Sequence, residues 1–190
     1  MTKFGQKSIL FFLSLSPVFA MAHPGHDQTH SGFAAGFTHP FTGLDHMMMA
    51  IALGVLFYSA AKKWNVIGMI SMVLALVAGF AIGTAHWIPE AFAEYGIVAS
   101  LMVVAIALWS KSNVILPVAT AMLVTFHGVA HGAELGGAGH VVGLVAGMVV
   151  AMSLIYAVGL LLGKVIADYV PYGEKIVGVF AAVVALIALA

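Results

Sequence analysis

The chain has 190 residues, 63% of them hydrophobic and 7% charged, with a mean hydropathy of +1.11. Soluble domains run at roughly 45–50% apolar and about 25% charged, so this composition excludes an ordinary water-soluble globule and points to an integral membrane protein. Net charge is zero and there is no arginine, which removes the electrostatic footprint of a nucleic-acid partner; the lack of cysteine excludes disulfides and thiolate metal sites.

Taken in chain order, residues 1–22 read as a signal peptide. Lys3 and Lys7 supply a basic start, Ser8 to Phe19 a short apolar core, and Ala20-Met21-Ala22 a small-x-small cleavage site, used after Ala20 or Ala22. An uncleaved additional helix is the alternative. Residues 23–38 then read as a periplasmic tail carrying His23, His26 and His30.

Six apolar segments follow, at 40–61, 64–86, 91–110, 113–131, 139–163 and 173–190. A hydrocarbon core about 30 Å thick needs ~20 residues of helix, which predicts six spans joined by short connections. The fold class expected is an all-α integral membrane protein, a six-transmembrane-helix bundle occupying residues 39–190.

Lys62, Lys63, Lys111, Lys164 and Lys175 all fall on one side of such a zigzag. Cytoplasmic loops carry the excess of lysine, so that side is assigned to the cytoplasm and the mature N-terminus to the periplasm. All nine histidines lie in the opposite, outer half or beyond it, together with Asp45, Glu90, Glu94 and Glu134.

Ionisable groups cost about 2.5–3.5 kcal/mol each to insert at the centre of a membrane helix, so they usually face a cavity or a partner. The first such group is "HPFTGLDH", His39 to His46. On an unbroken helix His39 and His46 would align within about 20° yet stand ~10 Å apart along the axis, too far for one ion. Pro40 and Gly43 allow a bend that folds His39 back toward Asp45 and His46. The second group is "HGVAHGAE", in which His127 and His131 are one turn apart and Glu134 continues the stripe. An i, i+4 histidine pair is a common way to present two imidazoles to one divalent ion.

The remaining polar residues admit two readings. His86 and His140, at helix ends, serve equally as caps or as ligands. Glu90 and Glu94 fit the positive end of a helix at the start of the third span. Met47 to Met49 read as packing or lipid contacts. Glycines four apart, at Gly79/Gly83, Gly139/Gly143/Gly147 and Gly159/Gly163, read as close helix packing in lipid. A donor set of imidazole and carboxylate suits Ni²⁺, Co²⁺, Zn²⁺ or Cu²⁺ and does not choose among them.

"HPFTGLDH" resembles the HPxxGxDH motif of the HupE/UreJ family of nickel and cobalt permeases, and "FHGVAHGAE", Phe126 to Glu134, resembles that family's second motif. The resemblance extends over the whole mature chain. It implies a permease domain over 39–190 that imports Ni²⁺ or Co²⁺ as substrate, with no prosthetic group, for metalloenzyme or cofactor assembly. It implicates His39, Asp45, His46, His131 and Glu134 in metal passage, with His127 inside the same motif. His23, His26, His86, Glu90 and His140 are further candidates. No Walker-type ATPase motif is present; "GLLLGKV" at Gly159 has the wrong spacing, so direct ATP coupling is absent from this chain. A secondary or passive transporter in the bacterial inner membrane is expected, with passive flow, proton coupling or a partner ATPase all left open. Its partners are a divalent metal ion and the bilayer, and a homo-oligomer is compatible with the sequence. The competing readings are an intramembrane metal-dependent enzyme and a metal-binding accessory or sensor subunit.

Overall fold

The computed structural model describes residues 32–60, 64–110, 116–137 and 139–189, without the side chains of 116–122. The signal-peptide reading, the tail histidines His23, His26 and His30, and Lys62, Lys63 and Lys111 lie outside the described residues. Every described element is helical: α1 (Gly32–Thr42), α2 (Leu44–Ala60), α3 (Trp64–Thr84), α4 (Glu90–Ser110), α5 (Leu116–Leu135), α6 (Val141–Tyr169) and α7 (Gly173–Ile187).

By length and composition, α3, α4 and α6 can each cross a membrane, and α1 with α2 makes a fourth span if the bent pair is counted as one. The 15 residues of α7 fall short of the ~20 that a full crossing needs. The polar C-terminal end of α5 interrupts its apolar run with His127, His131 and Glu134. The expected tail boundary at residue 38 falls inside α1, which starts at Gly32 and packs along α6.

Local chemistry explains the break between α1 and α2. Pro40 has no N–H to give the helix, and α1 stops two residues later. The Thr42 hydroxyl donates to the His39 carbonyl at 2.7 Å, satisfying a group that the helix end leaves open. The backbone then turns by 79°, and the Met47 N–H closes the first bond of α2 on the Gly43 carbonyl at 3.2 Å.

Helix α2 is apolar all round, and such a helix belongs in the centre of a bundle. Residues 52–57 are buried without interruption, and α2 touches α1, α3, α4, α6 and α7. Glycine sets how closely the others approach. A Cβ on Gly79 or Gly83 would run into the α5 backbone, and one on Gly128 or Gly132 into the α3 backbone. Gly36 meets Leu144 and Gly147 meets Phe33 in the same way, locking α1 to α6; Gly54 and Gly159 lock α2 to α6. Gly139 is the exception in the expected stripe, with nothing within 4 Å of its missing side chain.

At the lysine-bearing end, α7 is tied to α4. Trp109 Nε1 donates to the Lys175 carbonyl at 3.2 Å, and the Lys175 ammonium lies 5.2 Å from the Trp109 ring centroid and 5.7 Å from that of Tyr172.

Candidate metal site

Three helix segments deliver the site. The last turn of α1 brings His39, the first turn of α2 brings Asp45 and His46, and the last three turns of α5 bring His127 and His131. On α5 the work is divided by face. Gly128 and Gly132 pack against α3, while the residues one position earlier, His127 and His131, carry imidazoles away from that contact. Asp45 sits at the positive end of α2, where a carboxylate is favoured.

The imidazoles converge. Ring centroids are 5.4 Å apart for His39 and His46, 4.5 Å for His39 and His131, 4.6 Å for His46 and His131, and 5.2 Å for His46 and His127. His46 Nδ1 lies 3.0 Å from Asp45 Oδ1, and its Nε2 faces His131 Nε2. Asp45 Oδ2 is 3.8 Å from His127 Nε2. His46, His127 and His131 are buried, with His127 fully so. Two sets of three residues each have ligand atoms within 4.8 Å of one another: His39, His46 and His131, and Asp45, His46 and His127.

This chemistry fits a divalent cation. The Asp45 carboxylate accepts the Nδ1–H of His46, which fixes the tautomer and leaves the Nε2 lone pair aimed at His131. Two facing ring nitrogens are stable only with a proton or a cation between them. His39 Nε2, His127 Nε2 and His131 Nδ1 are buried without a hydrogen-bond partner. Each such orphan costs about 1–3 kcal/mol, and a bound ion would supply the missing partner to those that reach it.

The bend expected at 40–43 is present and does what its spacing required. Gly43 matters for space: a Cβ there would press on the His46 ring and stand 2.8 Å from Asp45 Oδ1. Glu134 is exposed one turn beyond His131 and belongs to neither three-residue set. His86 is exposed with φ 53°, a left-handed residue closing α3 through its N–H to the Gly83 carbonyl at 2.8 Å. His140 is exposed at the N-cap of α6, and Glu90 is exposed in the first turn of α4. Neither joins the cluster.

One residue was undervalued by sequence reasoning. Glu94, which the spacing had assigned to helix-end charge, lies within electrostatic reach of Asp45, His46, Glu90 and Glu134. The signal was its position one turn after Glu90; the face it occupies depends on how α4 packs against α5, through Ala93 and Ile97 on Val129 and Ala130.

The family described as HupE / UreJ protein matches residues 11–189 of this chain. The chain belongs to the HupE/UreJ family. Protein HupE of Rhizobium leguminosarum bv. viciae is 28% identical over 150 residues, covering 76% of this chain and 75% of that protein. No solved structure matches. All five clustered side chains lie inside the span of the HupE/UreJ match.

Proposed function

We propose that this protein is a permease that takes Ni²⁺ or Co²⁺ from the periplasm and passes it across the inner membrane for metalloenzyme or cofactor assembly. The observation that carries the reading is the convergence of His39, Asp45, His46, His127 and His131 from three helix segments into one largely buried cluster. Family membership supports it. Nitrogen and carboxylate donors suit late first-row divalent ions. Transport also needs a site that strips water from the ion and then releases it, which a few neutral imidazoles with one carboxylate can do.

In this reading the chain crosses the membrane six times. The bent α1–α2 pair forms the first crossing, and α5 and α7 complete the count as shorter, packed spans. Lys164 and Lys175 face the cytoplasm, and the histidine cluster opens to the periplasm. Glu134 and Glu94 form an acidic approach that draws cations toward the mouth. Transport in this reading is passive or secondary, and this chain carries no ATPase motif of its own.

The test is metal flux by the purified protein in sealed vesicles. Time-dependent accumulation of Ni²⁺ or Co²⁺, lost in His46→Ala and His131→Ala, is the expected result. Metal binding without accumulation would instead make the chain an accessory or sensor subunit.

A further inference from the structure

We propose that the two three-ligand sets are successive stations for the cargo ion, and that His46 hands the ion from one to the other. The inference rests on the permease reading above and assigns different roles to residues that reading treats as one site.

The argument starts from the shape of imidazole. Its two ring nitrogens point away from each other, so one ion cannot use both. His46 turns Nε2 toward His131 and Nδ1 toward Asp45. The set His39, His46 and His131 therefore engages one side of the ring, and the set Asp45, His46 and His127 engages the other. An ion held by the first set leaves the Asp45–His46 hydrogen bond intact. An ion held by the second replaces that bond.

Position along α5 orders the stations, since each set holds one half-buried and two buried residues. His39 is half-buried, and His131 lies one turn nearer the outer end of α5 than His127. His127 is 0% exposed, and its Nε2 has no hydrogen-bond partner although Asp45 Oδ2 stands 3.8 Å away. A fully buried imidazole nitrogen left open beside a carboxylate is a ligand held ready in the interior. The His39 set captures, and the His127 set receives.

The hand-over balances with water as the proton carrier. With the ion on Nε2, the single ring proton of neutral His46 is on Nδ1, held by Asp45. With the ion on Nδ1, that proton is on Nε2, where His131 Nε2 accepts it. The ion moves inward, His46 gives its Nδ1 proton to water and takes one from water at Nε2 so that the proton count is unchanged, and Asp45 changes from hydrogen-bond acceptor to ligand. Because both stations need His46, they hold one ion between them, never two.

Two readouts separate the stations: Ni²⁺ binding to the detergent-purified protein at equilibrium, and Ni²⁺ flux in vesicles. Both use a background of His23→Asn, His26→Asn and His30→Asn, so that tail imidazoles do not contribute. His127→Ala is expected to bind Ni²⁺ within about 3-fold of the parent and to lose flux by at least ~10-fold. His39→Ala is expected to lose about 10-fold or more in affinity, yet to recover to within about 3-fold of the parent flux at saturating metal. His127→Gln, closer in size, must show the same split as His127→Ala. Parallel loss of binding and flux in the His127 and His39 variants would overturn the two stations while leaving the permease reading in place. Failure of both His127 variants to accumulate in the membrane also overturns them, because it makes that residue structural. A parent protein that binds Ni²⁺ but does not move it removes the permease reading itself.

Discussion

The imidazoles of His39 and His46 have centroids 5.4 Å apart, although a continuous helix would hold them ~10 Å apart along its axis. The 79° turn at Gly43 makes the difference. A methyl group on residue 43 would enter the space that the His46 ring and the Asp45 carboxylate occupy. Gly43→Ala is therefore expected to reduce Ni²⁺ flux by about 10-fold or more, on the scale of losses seen when supporting groups of a metal site are disturbed. Helix content by circular dichroism should be unchanged. Normal flux in a folded Gly43→Ala protein would show that the close approach at Gly43 is not needed.

Asp45 Oδ1, 3.0 Å from His46 Nδ1, favours the tautomer of His46 with the proton on Nδ1. In Asp45→Asn the amide keeps an acceptor but loses the charge, so the imidazole becomes less basic and less well oriented. Metal affinity should fall by about 10–100-fold, with protein levels in the membrane maintained. Equilibrium binding measured alongside quantitative immunoblotting checks this; unchanged affinity would place Asp45 outside the site's chemistry.

Glu94 and Glu134 are exposed and lie outside the three-ligand sets. Their expected role is to raise local cation concentration, a long-range effect that salt screens. Glu94→Gln with Glu134→Gln should raise the Ni²⁺ concentration at half-maximal flux several-fold at low ionic strength and much less at high, with the maximal rate little changed. A collapse of the maximal rate would place one of these carboxylates in the translocation step.

Helix packing offers a test that involves no metal. Gly83 has the α5 backbone against it, whereas Gly139 faces open space. Gly83→Val should destabilise the protein by about 1–3 kcal/mol through overpacking. Gly139→Ala should leave the melting temperature in detergent nearly unchanged. Equal effects of the two would mean that the α3–α5 approach is looser than the backbone contacts imply.

Orientation can be read by labelling. The protein has no cysteine, and Trp87, in the connection between α3 and α4, and Tyr169, the last residue of α6, are each 78% exposed. Trp87→Cys should react with a membrane-impermeant maleimide in intact spheroplasts, and Tyr169→Cys only after permeabilisation. The reverse pattern would put the histidine cluster in the cytoplasm.

Much of this was legible in the chain itself. Composition fixed the solvent, because a chain with 7% charged residues cannot cover itself with polar surface. The polar residues were rare enough that their positions alone marked one end of the bundle as the place where potential ligands gather. "HPFTG" carried its own bend: Pro40 stops one helix, and Gly43 leaves room for the next to start against it. The spacing of His127 and His131 put both rings on one side of α5.

Tertiary packing decided the rest. Sequence spacing described each helix by itself, and which residues meet across helices depends on how close the backbones come. Glycine contacts between α3 and α5 and between α2 and α6 set those distances. They brought His46 to His131, 85 positions away, and put His127 next to Asp45 while leaving Glu134 outside. His86 and His140 follow the same histidine pattern in the chain, but one closes α3 and the other starts α6, so both rings stay exposed. Glu94 shows the converse: a residue that spacing assigns to helix-end charge is carried toward the site by the packing of Ala93 and Ile97 on α5. A helix period places a side chain on a face, and only the neighbouring helix determines whether that face meets lipid, water or another ligand.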